Sequence, residues 1–447
     1  MGLSKIRKDG QDNLKNCVRI NLAVESFRKI GANVLFQGFG RLITAGASLL
    51  VTILVAQSFG PASLGDLTKV LSFVALFYLV ADFGFNAIVV KDACTQEEKT
   101  TFFLSNLFSL RIFVSFALII LVFLITFALP FNLEKNTGFS PQIKIGIAIA
   151  SLTILAQAIL TSANALFQIR MRYDRSTVAL FFGSLVTVFL AFLFINYAFF
   201  SWPKALLPII LAYVVGGAIS SFLAVSFVKS QLSGFKLKFN FDYWLNLLKR
   251  TWPIGLTLVF NLIYFRVDMF ILALTRTSTE VGLYSLSYKI FDLSLVFPIF
   301  LINASYPTMV ESSAKGLKDL LQFSKKIFGV LFVVSSFGLA LIFTLAPQVV
   351  TLIGGEGFGG SISSLRILVL GLPVFYLTAL LMWLLIVFEK QKDLIIIYGS
   401  GAVLNVVLNL VFIPQFGYLA AAATTGISEL FILLASSIIV FKHLKRT

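Results

Sequence analysis

Ten charged side chains stand inside long apolar runs of this sequence: Arg41, Lys69, Asp82, Arg111, Arg266, Asp268, Lys289, Asp292, Arg366 and Glu429. A charge in hydrocarbon costs at least ~2.5–3.5 kcal/mol, so each needs a partner, a path to water or a ligand. Six are bases and four are acids, and seven of the ten fall in four runs, 32–57, 64–90, 251–274 and 282–308. The chemistry open to such a set is ionic. Bases facing a water-filled cavity receive an anion, and carboxylates among them tune a base, close a gate or carry a coupling ion. Arg41, Lys69, Lys289 and Arg266 are the candidates for a cationic, substrate-binding cavity; Asp82, Asp268 and Asp292 are the candidates for gating or ion coupling. The competing reading, interhelix ion pairs or snorkelling to headgroups, suits Arg111, Arg366 and Glu429 better, since they lie outside the favoured runs. Lys289 and Asp292 are three apart and can pair on one helix face. Arg266 and Asp268 are separated by ~200° around a helix, so they face different ways.

Other chemistries lack their residues. The one histidine, His443, sits at the C-terminal end, so a His-based metal site, triad or proton relay in the core has nothing to build on. Cys17 and Cys94 make no disulfide framework. No GxxxxGK[ST] loop occurs, and the Gly-rich run Gly354 to Gly360 lacks the lysine and reads as a turn. No catalytic residue, metal or cofactor is expected.

The elements that must position these charges are membrane helices. Of 447 residues, 58% are hydrophobic and 13% charged, about half the ~25% charge of a soluble domain. Mean hydropathy is +0.94. Twelve runs of ~20 or more mostly apolar residues predict twelve transmembrane helices. They lie near 32–57, 64–90, 102–129, 145–168, 176–200, 205–228, 251–274, 282–308, 327–346, 362–388, 394–413 and 417–441. The runs are too long, and alternate too little, for barrel strands. No cleavable signal peptide is evident at the N-terminus. With the N-terminus placed inside, the cytoplasmic segments carry 26 Lys and Arg and the external loops four. The positive-inside rule then predicts both termini cytoplasmic, and most of the net charge of +16 serves orientation. The expected organisation is a basic N-terminal segment 1–31, a six-helix lobe 32–228, a cytoplasmic linker 229–250, a second six-helix lobe 251–441 and a tail 442–447.

The two halves resemble each other at an offset near 217. Thr126 to Pro130 matches Phe343 to Pro347, Leu64 to Leu67 matches Val281 to Tyr284, and Arg170 to Asp174 matches Glu389 to Asp393. Six helices per half is even, so the lobes should be related by an axis along the membrane normal. Two such lobes with a site between them suit alternating access.

Several stretches resemble one family. Val55 to Gly65 (VAQSFGPASLG), Asp82 to Ala93 (DFGFNAIVVKDA), Arg266 to Ala273 (RVDMFILA), Val281 to Ile290 (VGLYSLSYKI) and Ile413 to Ala422 (IPQFGYLAAA) look like polysaccharide flippases of the Wzx type, including O-antigen flippases, in the MOP superfamily. The resemblance implies an all-α, V-shaped fold of two six-helix lobes in the bacterial inner membrane. It also implies a non-enzymatic flippase carrying an undecaprenyl-diphosphate-linked oligosaccharide outward. In the related lipid II flippases, basic residues on helices 1, 2 and 8 line the cavity, the helices that hold Arg41, Lys69 and Lys289 here; those flippases usually have fourteen helices. Expected partners are the lipid-linked oligosaccharide, membrane lipids and polysaccharide assembly proteins, with no nucleic acid. Coupling to H⁺ or Na⁺ through Asp82 or Asp268 stays open. The rivals are a cation-coupled multidrug or metabolite exporter of the same superfamily, which would prefer an anionic pocket, and a membrane-embedded polysaccharide polymerase or ligase, which the short external loops disfavour.

Overall fold

The computed structural model of the chain describes residues 3–196, 206–232 and 234–445. Among these the helices are α1 (Leu3–Asp82), α2 (Phe85–Thr95), α3 (Thr100–Ala128), α4 (Pro141–Ala150), α5 (Leu152–Ile169), α6 (Tyr173–Asn196), α7 (Leu206–Gln231) and α8 (Phe241–Thr275). They continue as α9 (Ser278–Ser294), α10 (Val296–Lys315), α11 (Leu317–Gly354), α12 (Gly359–Leu370), α13 (Leu372–Val387), α14 (Gln391–Phe416) and α15 (Tyr418–Leu444). A small hairpin, β1 (Phe131–Asn132) with β2 (Thr137–Gly138), follows α3.

Helix α3 shows why such segments fold as they do. Its 29 residues contain neither Gly nor Pro, and it stops just before Pro130. Phe113, Phe116, Ile120, Phe123 and Phe127, spaced by three and four, are all exposed. Leu104, Leu107, Arg111, Ser115, Leu118 and Val122, spaced likewise, are buried. The helix therefore has one face for protein and one apolar face that only lipid can cover. Side-chain caps open others: Ser140 Oγ accepts from Ile143 N at α4, Asn240 from Tyr243 N at α8 and Thr277 from Glu280 N at α9.

Ten helical stretches are long and apolar enough to cross a bilayer. The first, Leu35–Thr95, would run ~90 Å if straight, three times the hydrocarbon thickness. It folds back at Gly60, whose φ of 75° is open to glycine at little steric cost, with Pro61 opening the second limb. Ser48 and Tyr78, thirty residues apart, accordingly line one pocket. That fold makes two passes of one stretch. The 35-residue α8 supplies another, bringing the described passes to the twelve expected.

The halves share their irregularities. The second pass breaks at Phe83 and Gly84 and the eighth at Leu295; the fourth breaks at Ser151 and the tenth at Gly371. Toward the middle of the chain, α7 runs to Gln231 and α8 begins at Phe241, so helix takes up both ends of the expected linker 229–250.

Candidate functional site

The turns at Gly60, 129–140, Thr277, 355–358 and Gly417 gather on one face, opposite the basic turns. On this far face the lobes meet backbone to backbone. A Cβ on Gly65 would lie 1.7 Å from Ser278 O, and one on Gly282 would lie 1.9 Å from Pro61 O. Residues 61 and 65 stand 217 positions before 278 and 282, so the contact is reciprocal between repeat-related residues. Thr137 of the hairpin bridges Thr277, and Gln57 Nε2 donates to Leu352 O at 2.8 Å.

Lys69 belongs to this seal. It is buried, and its ammonium donates to Gly138 O at 2.7 Å and toward Arg276 O at 3.4 Å, one carbonyl from each half. The sequence reading had it in the cationic cavity; the structure places it outside, because two backbone carbonyls, which no side-chain pattern records, take up its donors.

Toward the basic face the lobes separate around a cavity of about 650 Å³. Its walls come from the first limb of α1 and from α8, α9, α10, α13, α14 and α15. Arg41, Asp292 and Glu429 line it together. Arg41 and Asp292 are exposed, and neither side chain makes a hydrogen bond or ion pair with a described residue. Glu429 is buried at the wall and accepts from Tyr264 OH at 2.6 Å. Arg266 is exposed while Asp268 is buried, as their angular separation requires. Lys289 makes no ion pair with Asp292 among the described residues; its ammonium donates to Ser48 Oγ on α1, tying α9 to the other lobe. Arg266 and Asp292 are near enough to act on it electrostatically.

The remaining carboxylates are committed to protein groups. Asp82 pairs with the fully buried Arg111 at 2.5 Å, and Arg111 also donates to Asn86 Oδ1 at 2.8 Å and Asp82 O at 3.2 Å. This cluster holds the break at Phe83–Gly84. Asp268 accepts from Tyr284 OH at 2.6 Å and from the Met269 backbone N–H. Arg366 lies over the Phe343 ring, 5.1 Å from its centroid, and donates to the Phe343 carbonyl. Thus Arg41 and Asp292 line the inter-lobe cavity, Lys289 reaches across to α1 and Arg266 lies within electrostatic reach of Lys289, whereas Lys69, Asp82 and Asp268 are not in the cavity's lining.

Sequence reasoning missed an uncharged network in the second lobe. Asn409 Nδ2 donates to Asn405 Oδ1, Asn405 Nδ2 to Ser428 Oγ, and Thr424 Oγ1 to Asn409 Oδ1. Two asparagines four apart in an apolar helix were the signal, since buried amides must find partners.

The described passes thus form two lobes that seal against each other at one face and part around a cavity toward the other. The chain matches the family described as "Polysaccharide biosynthesis protein" over residues 30–313, more than half its length, and it belongs to that family. Among curated proteins none matches it. Solved membrane-transport proteins share the fold. The lipid II flippase MurJ in an inward closed conformation is 16% identical with a TM-score of 0.73, covering 91% of this chain and 87% of that one. A multidrug resistance MATE family transporter of the MOP superfamily, inward-facing, is 14% identical with a TM-score of 0.71, covering 93% and 99%. An outward-facing conformation of such a transporter is 13% identical and reaches 0.62, covering 94% and 96%.

Proposed function

We propose that the chain is a flippase that moves a polyprenyl-diphosphate-linked oligosaccharide, such as a polysaccharide or O-antigen repeat unit, between leaflets by alternating access. The observation that carries this is the inter-lobe cavity, which Arg41 lines, exposed and without a hydrogen-bond or ion-pair partner among the described residues. A diphosphate cannot cross hydrocarbon with its hydration shell. Arg41 and Arg266 offer bidentate donors and Lys289 a mobile point charge to replace that shell. The prenyl tail stays in lipid beside the open half of the interface. The 26-to-4 bias of basic residues supports cytoplasmic termini and an inner-membrane setting with the far face outside. Outward movement of two negative charges in an inside-negative cell then gains roughly 4.6 kcal/mol at 100 mV, at ~2.3 per charge. With Asp82 held by Arg111, Asp268 is the candidate group for coupling to H⁺ or Na⁺. Movement across the bilayer needs no bond made or broken, so the reading is non-enzymatic.

A second reading has support of its own. Asp292 and Glu429 line the same cavity as Arg41, and carboxylates there suit a cationic substrate, as in a multidrug exporter.

Reconstitution in vesicles separates the two. The purified chain should translocate polyprenyl-diphosphate-linked oligosaccharide. Arg41→Ala, Arg266→Ala and Lys289→Ala should each lower the rate about tenfold or more, the worth of one charge-assisted hydrogen bond at ~1.5–3 kcal/mol. Wild-type rates in all three variants sink the cationic-cavity reading. Export of a cationic dye that Asp292→Asn abolishes would establish the rival.

A further inference from the structure

Inside the first lobe lies a second cavity of about 220 Å³, below the ~300–1,000 Å³ usual for drug-sized ligands. It is walled by α1, α5, α6 and α7, and no Asp, Glu, Lys or Arg lines it. Its polar groups are hydroxyls and one amide. Thr44, Thr153 and Thr187 each donate to a backbone carbonyl three or four residues earlier, so what they present to the cavity is oxygen lone pairs. Tyr78 hydroxyl, bonded to Thr153 at 2.7 Å, keeps accepting capacity, and Gln157, exposed in the middle of α5, adds donors as well as an acceptor. Ser48, one of the lining residues, links this cavity to the second lobe by accepting from the Lys289 ammonium.

That inventory selects a ligand class. An anion finds no cation in the lining to offset the lone pairs of Thr44, Thr153 and Thr187. A quaternary ammonium or protonated amine finds no carboxylate. An alkyl chain would strip water from hydroxyls without replacing it. A neutral polyol, with many O–H donors on a compact frame, satisfies the acceptors and is satisfied by Gln157. We propose that this pocket is a neutral-sugar subsite, holding one saccharide ring while Lys289 at its mouth stands beside the adjoining diphosphate. The pairing with a diphosphate rests on the flippase reading; the sugar preference rests on the pocket alone.

Thiol protection tests it without requiring transport. In the full chain carrying Cys17→Ser and Cys94→Ser, Ser184→Cys and, as a second position, Ser220→Cys place a thiol in the pocket, and Ala45→Cys places one in the charged cavity. Labelling by a methanethiosulfonate reagent is timed with glucose, galactose, N-acetylglucosamine, sodium pyrophosphate or tetraethylammonium. At about ten times its dissociation constant, a bound sugar slows labelling in the pocket roughly tenfold. Protection of Ser184→Cys or Ser220→Cys by at least one sugar, and by neither ion, is the expected result. Protection there by pyrophosphate or tetraethylammonium, or by none of the sugars, overturns the proposal. Pyrophosphate should protect Ala45→Cys; its failure there, with sugar protection in the pocket intact, counts against the cationic-cavity reading and leaves the subsite standing.

Discussion

At the far face and inside the first lobe, bases are engaged by the protein itself: Lys69 by two carbonyls, Arg111 by Asp82 and Asn86. Arg41, in the cavity toward the basic face, and Arg266, within electrostatic reach of Lys289, stand exposed without a hydrogen-bond or ion-pair partner among the described residues. The same residue types therefore do opposite work. An engaged base holds a shape, and its removal is felt in folding or closure. A base left open is available to something that is not protein, and its removal is felt in transport.

The contrast breaks most visibly at Arg111. Arg111→Met strands Asp82 and should cost ~3–5 kcal/mol, read as a fall in Tm, with part of the loss restored by adding Asp82→Asn. An unchanged Tm would mean that the buried pair holds nothing. Next is the glycine seal. Gly65→Val puts a branched side chain against Ser278 O and should cost about 3 kcal/mol of the closed far face, roughly a hundredfold in the open-to-closed ratio. An impermeant thiol reagent added at the far face should then reach Ala45→Cys; silence there would show that the seal survives. Lys69→Met should open the same route less, for the loss of one ammonium's hydrogen bonds at ~1.5–3 kcal/mol. Should it leave labelling unchanged and weaken binding of lipid-linked oligosaccharide, Lys69 returns to the substrate's side of the comparison. Smallest is Arg41→Ala, whose stability should stay within about 0.5 kcal/mol of wild type, read as a nearly unchanged Tm, because no described group loses a partner. A large drop would show that Arg41 is structural after all.

The comparison also shows why some of the site was readable in the sequence and some was not. Arg266 and Asp268 were separable by helical geometry alone, and the repeat offset of 217 relates Gly65 to Gly282 at the seal. Lys289 was expected to pair with Asp292 on its own helix face, yet it bonds Ser48, 241 residues away. The hydroxyl pocket of the first lobe drew no notice, because Ser and Thr in an apolar helix look the same whether they face a cavity or bond back to their own backbone.

What the sequence alone determined is the solvent and the count. Hydrocarbon tolerates no open backbone groups, so 58% hydrophobic residues in twelve long runs could only be helices crossing a bilayer, and the loop charges could only bias their direction. What the tertiary structure decided is which charges are free. A base in the membrane is satisfied by whatever oxygen comes within hydrogen-bonding reach, and for Lys69 the two oxygens belong to backbone 69 and 207 residues away. Helix period records the face on which a side chain starts; only packing supplies, or withholds, the partner at its end.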